Sequence, residues 1–167
     1  ARTRHGDVLA VADQKGRLVY DSASPSSWGN DIARIPAIAA AYDARNDAYL
    51  GVLRGDDPVV VRSGLLGERK RSQLFVMFAR AKRIGGQPRA LFLQLIDAAH
   101  LIEDVGVEDI RLSVVAPDGR SQGNVPASLV ASTVGDGITE RTHAGQIWLV
   151  ERAPLRAKGQ GEAIVQL

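Results

Sequence analysis

Two arginines, Arg62 and Arg80, lie in apolar stretches that read as strands, where an inward-facing guanidinium can grip a carboxylate through two parallel hydrogen bonds. Trp28, Tyr42 and Phe78 are the aromatics that could wall a pocket beside them, so the five residues form the candidate ligand-binding set. A plainer reading stands next to this one. Period-2 alternation puts half of all strand residues on the wet face, and large aromatics also serve as core.

Other chemistry finds less support. A metal needs three or four converging ligands, and no two of His5, His100 and His143 sit at i, i+4. The nearest cluster, His143 with Glu140 and Asp136, reads as a surface turn, and His100 as an exposed or capping residue. Ser63-Gly64 and Ser113 lack the Gly-x-Ser-x-Gly elbow of a serine nucleophile. The segment from Gly64 to Ser72 lacks the Gly-Lys-Ser/Thr ending of a phosphate loop. With no cysteine, disulfides and thiolate chemistry are excluded. We therefore assign no catalytic residue, metal or cofactor, and no enzyme activity to this segment.

The elements that must position these residues follow from the apolar pattern. Val8 to Ala12 and Arg17 to Tyr20, joined by Asp13-Gln14-Lys15-Gly16, read as a hairpin. A polar loop from Asp21 to Ser27 follows, then Ile32, Ile35, Ala39 and Tyr42 at helical spacing, with Pro36 suited to a first turn. Strands are expected at Tyr49 to Leu53, Val59 to Arg62, Leu74 to Arg83 and Arg89 to Ile96, the last two joined by Ile84-Gly85-Gly86-Gln87-Pro88. Asp97 suits the N-cap of a short helix over Ala98 to Ile102.

The pattern then restarts. Ile110 to Ala116 runs into Pro117-Asp118-Gly119-Arg120, which echoes Asp13 to Arg17 about 103 positions earlier. A second echo lays Phe78-Ala79-Arg80-Ala81 over Val150-Glu151-Arg152-Ala153, and Leu91 to Leu95 over Ala163 to Leu167, at an offset of 72. Two unrelated hairpins would be the alternative. The second unit keeps a short helix at Pro126 to Ser132 and strands near Ile138 to Thr142 and Gln146 to Arg152. The expected fold is α+β, two tandem lobes that in their order of elements resemble PAS lobes, each an antiparallel sheet with helix across one face. The larger lobe takes residues 1–104 and a truncated lobe 105–167.

An apolar share of 45% and a charged share of 24% place the chain with globular proteins and against disorder. The net charge is only +2, but basic residues concentrate between Arg62 and Arg89 against the single acid Glu68. Such a stripe favours anions. It equally reads as cationic outer strand faces that resist edge pairing, and without interleaved aromatics it gives no case for nucleic acid. The chain has no initiating methionine, no signal-peptide pattern and no apolar run of about 18 residues. The expectation is a segment of a longer protein whose flanks hold the membrane span.

Val8 to Tyr20, then Asp21-Ser22, Trp28-Gly29-Asn30-Asp31-Ile32 and Ile35-Pro36, resembles the opening of Cache sensor domains, where a Gly-x-Asp-Ile/Leu phrase leads into a helix. By order of elements the resemblance covers most of the chain. It implies the extracytoplasmic, periplasmic sensor domain of an inner-membrane receptor (kinase, cyclase or chemoreceptor), binding a small molecule between sheet and helix and passing a shift across the membrane. A homodimer is compatible with it. The alternative is an interaction or dimerisation module with no small-molecule ligand. Two departures are evident: double Cache domains begin with a long helix, and their amino-acid-binding signature of arginine, tryptophan and tyrosine cannot be placed here. The resemblance therefore implies no particular ligand.

Overall fold

The computed structural model of the chain describes residues 7–44, 48–67, 73–104, 110–132, 137–155 and 163–166. It opens with the expected hairpin, β1 (Val8–Asp13) and β2 (Leu18–Asp21), antiparallel. Asp13 makes the turn, its carboxylate accepting from the amides of Lys15 and Arg17, and Gly16 takes φ +77°. A Cβ on Gly16 would lie 2.4 Å from that of Ala33, so the left-handed backbone and the close approach both demand glycine.

Asp21 folds the next loop. Its buried carboxylate accepts from the amides of Ala23 and Ser24 and from the Ser27 hydroxyl. The chain then enters α1 (Pro36–Asp43), shorter than the pattern predicts: Ile32 and Ile35 precede the helix yet are buried beneath it. After β3 (Ala48–Arg54) comes a correction. Val59 to Arg62 is not a strand but part of α2 (Pro58–Ser63). The caps override the three β-branched valines. Asp57 accepts from the Val59 amide, Pro58 opens the helix, and Gly64 closes it at φ +70°.

The long hairpin follows as β4 (Leu74–Ile84) and β5 (Gln87–Asp97), turned at Gly85-Gly86 with φ positive at both, as a two-residue turn requires. Asp97 caps α3 (Ala98–Asp104) as expected, accepting from the Ala99 amide. The second unit contains β6 (Ser113–Val115), β7 (Ser121–Gly123), α4 (Ala127–Ser132), β8 (Gly137–His143), β9 (Gln146–Leu155) and β10 (Ala163–Gln166).

Two five-stranded antiparallel sheets result, in the order β2-β1-β5-β4-β3 and β7-β6-β10-β9-β8, so the second repeats the first strand for strand. The fold is α+β, two PAS-like lobes in tandem. In lobe 1 the inner face (Val8, Ala10, Phe75, Met77, Leu93, Leu95) packs against Ile35, Ile38, Leu65 and Leu66. Each large aliphatic buried there contributes roughly 1.5–3 kcal/mol. On the outer face Leu50, Leu74 and Val76 bury against Ala98, Val114 and Ala116, which joins the lobes. Around this contact, Gln122 of β7 accepts from the Leu74 amide and donates to the Asp97 carboxylate. Arg54 pairs with Asp56 and Asp118, and Arg120 with the same two aspartates.

Strand pairing corrects the register of the repeat. The amide of Asp13 bonds the Arg17 carbonyl, and that of Ala116 the Arg120 carbonyl, so the two turns are equivalent at the expected 103 positions and Val11 answers to Val114. Val11 pairs with Phe92 and Val114 with Val165, and Phe92 pairs with Arg80 as Val165 does with Ala153. The closing hairpins are therefore equivalent at 73, not 72. Burial agrees, because Met77, inside lobe 1, then answers to buried Val150, whereas the expected offset would set exposed Phe78 upon it. A slip of one position exchanges the faces of a strand. The partner of Arg80 in lobe 2 is thus Ala153, and Arg152 answers to inward-facing Ala79.

Candidate ligand-binding site

Lobe 1 buries Leu50, Leu74 and Val76 of its outer face against lobe 2, and among the described residues another part of that face is exposed. Two rows of side chains cross it. Tyr20, Val11, Phe92, Arg80 and Ala48 pair successively from β2 to β3, and Leu9, Gln94 and Phe78 form the row beside them. Leu9, Tyr20, Phe78 and Phe92 are 37–50% exposed, which is unusual for four such residues sharing one surface. They line a depression of about 450 Å³ in which Arg80 and Gln94 are the strongly polar side chains. Arg80 is exposed and has no acidic partner among the described residues. Ala48 flanks it on the edge strand.

The sequence-predicted set divides. Phe78 and Arg80 meet here, two positions apart on one strand face. Trp28 is exposed after the short 3-10 turn at Pro25–Ser27. Tyr42 lies on α1 behind the opposite sheet face, where its hydroxyl donates to the Asp13 carbonyl at 2.6 Å. Burial, reinforced by the charges of Asp13 and Asp31, pushes that hydroxyl up to about 12. Arg62 sits on α2 rather than on a strand, and its Nε donates to the Pro58 carbonyl at 3.1 Å.

Tyr20, Phe92, Leu9, Val11 and Gln94 were not singled out from the sequence. The alternation of β4 and β5 was available, but the pairing of β1 with β5 is long-range and leaves no local mark. The cleft expected between sheet and helix in lobe 1 is filled, among the described residues, by Ile32, Ile35, Ile38, Leu65 and Leu66. A second hollow at the end of lobe 1, about 540 Å³, contains Lys15, Asp43 and Arg83, but Arg83 is held by the carbonyls of Tyr42, Ala44 and Gly86.

Among the described residues no group of three or more His, Cys, Asp or Glu side chains could hold a metal ion. His143 meets the Ser128 hydroxyl at 3.1 Å. His100, expected to be exposed or capping, lies 3.5 Å from the Asp7 carboxylate with only 20% of its side chain exposed. His5, Asp136, Glu68, Arg69, Lys70 and Arg71 lie outside the described residues. No helix among the described residues is long and apolar enough to cross a membrane.

No protein-family model matches the chain, and no curated protein matches it. Solved structures do. The ligand-binding domain of the amino acid chemoreceptor PctB of Pseudomonas aeruginosa, in complex with L-Arg, superposes with a TM-score of 0.58 at 14% identity, over 95% of this chain and 69% of that one. That of the Pseudomonas fluorescens chemoreceptor CtaA, in complex with L-isoleucine, gives 0.59 at 15% identity, over 95% and 66%. An extracellular ligand-binding receptor from Desulfohalobium retbaense gives 0.57 at 11% identity, over 95% of this chain and 29% of that one. At these identities the likeness is one of fold: the chain is built as the ligand-binding domains of these chemoreceptors are built, in the two-lobed form that the Cache resemblance implied.

Proposed function

We propose that the chain is the extracytoplasmic sensor region of a bacterial inner-membrane receptor, which binds a small molecule in lobe 1 and passes a conformational shift to a kinase, cyclase or chemotaxis output. No catalysis is assigned to it. Lobe 1 is taken as residues 1–104 and lobe 2 as 105–167. The observation that carries the reading is the repeated pair of sheets, shared with chemoreceptor domains of which two hold amino acids. Phe78 and Arg80 are the proposed ligand contacts, while Trp28, Tyr42 and Arg62 lie away from that surface.

The connection between lobes supplies a route. A ligand biases a receptor only through unequal affinity for two of its states. Strands β4 and β5 floor the depression, and their ends at Leu74 and Asp97 both bond Gln122 of lobe 2. A displacement of β4 against β5 therefore strains a contact in the other lobe.

A thermal-shift screen with small acids, amines and metabolites tests the reading. A ligand at about a hundred times its Kd stabilises the folded state by roughly 2.7 kcal/mol and raises the Tm accordingly. If no compound moves the Tm while the chain self-associates in sedimentation, the interaction-module reading replaces it. The specific observation favouring that second reading is the open apolar sheet face itself, which is the kind of surface that marks docking sites.

A further inference from the structure

We propose that Arg54, Asp56, Asp118 and Arg120 form a partner-exchange clasp between the lobes, which closes with two cross-lobe ion pairs, opens with one pair kept inside each lobe, and so lets lobe 2 rock on lobe 1. The inference goes beyond the sensor reading and stands without it.

Each lobe supplies one cation and one anion, spaced around a glycine: Arg54-Gly55-Asp56 where β3 ends, and Asp118-Gly119-Arg120 in the turn between β6 and β7. Inside lobe 1, Arg54 Nε meets the Asp56 carboxylate at 2.9 Å, and across the junction its Nη1 meets Asp118 at 2.6 Å. Arg120 mirrors this, with Nη1 on Asp56 across the junction and Nε 3.8 Å from Asp118 in its own turn. Each guanidinium therefore faces both carboxylates. Rocking breaks the two cross pairs yet leaves every charge beside a counter-charge, whereas parting a simple ion pair strands both partners. Two arrangements of nearly equal energy are what a switching element needs. The four side chains are 26–57% exposed, so dissolved salt weakens the closed form.

The charges move with their lobes, because both turns are pinned by backbone. The Gly55 amide donates to the Gln73 carbonyl at 2.8 Å, and that of Ala116 to the Arg120 carbonyl at 2.7 Å. The rest of the junction fixes contact rather than angle. Leu50, Leu74 and Val76 bury against Val114 and Ala116 with Ala98 beside them, and apolar burial is non-directional. Gln122 bonds the Leu74 amide within that contact, which makes it the pivot and the charged ring the part that lets go.

The chain has no cysteine, so nitroxides at Lys15→Cys and Gln146→Cys, exposed positions at hairpin ends of lobe 1 and lobe 2, report the distance between lobes by pulsed electron resonance. One distance is expected to dominate at low salt and a second to grow as sodium chloride rises to about 1 M, where the screening length is roughly 3 Å. R54Q and D118N should each populate the second distance at low salt, and the two together no more than either alone. R54D combined with D118R places both acids on lobe 1 and both guanidiniums on lobe 2, so that only cross-lobe pairs remain; this variant should keep the first distance at salt where the parent shows both. A single distance in the parent at every salt would overturn the proposal, as would a salt response that survives in R54Q/D118N or a charge-exchanged variant more open than the parent. The salt titration of the parent needs no charge variant, so a variant that fails to fold leaves the proposal open to refutation.

Discussion

Asp21 shows how one buried side chain sets a whole loop. Its carboxylate receives the Ser27 hydroxyl at 2.7 Å and the Ala23 amide at 2.8 Å, and the loop it organises runs to Asn30, whose side chain reaches the Ser63 carbonyl. Burial pushes its pKa up, against the opposing pull of Ser27 and the two amides. Asp21→Ala leaves those donors without their acceptor and is expected to destabilise by about 2–3 kcal/mol, read as a lowered urea midpoint; a change under half of that would mean that the loop holds itself. In the sequence Asp21 is one of five polar residues in a seven-residue loop. Its role depends on the loop doubling back, which only the finished packing specifies. Phe78 and Arg80 were legible as neighbours because strand parity is local, whereas the position of Tyr42 behind the sheet depended on which face α1 covers.

Among elements, legibility followed the strength of local signals. The hairpins β1–β2 and β4–β5 carried glycine turns and alternating apolar residues, and both formed. Val59 to Arg62 carried a strand-like run, and the caps at Asp57 and Gly64 outweighed it. The Arg54, Asp56, Asp118, Arg120 ring was invisible, since it joins the end of β3 to a turn 64 positions later in the chain. The Arg54 hydrogen bond, with help from Arg120, holds the Asp56 carboxyl down at about 2 despite the cost of desolvation. A depressed carboxyl contributes stability that is fully present above its unfolded value of about 3.9 and is lost as pH falls toward 2. Urea midpoints measured from pH 6 to pH 2 should therefore fall less steeply below pH 4 in Asp56→Asn than in the parent chain. Parallel curves would mean that the ring adds nothing to folding.

For the whole molecule, the repeat was legible as a pattern and misplaced by one position, because identities in alternating strands score almost as well one step out of register. The corrected offset exposes an asymmetry between the lobes. By ladder equivalence Leu50, Leu74 and Val76, each 6% exposed or less, answer to Ile138, Ile147 and Leu149, which are 69–72% exposed. The same three sheet positions are aliphatic in both lobes, yet among the described residues the lobe 1 patch is covered, by α3 and the β6 strand, while the lobe 2 patch is exposed. Residue type alone cannot decide burial here; what packs above the sheet decides it. Leu74→Ala opens a cavity between the lobes and should cost about 2–5 kcal/mol, whereas Ile147→Ala at the equivalent position should stay within about 0.5 kcal/mol, as exposed substitutions do. Denaturant unfolding of the two variants at low concentration measures the contrast. Comparable losses would mean that the lobe 2 patch is covered in solution, and a loss at Ile147 that grows with protein concentration would identify the cover as a second copy of the chain.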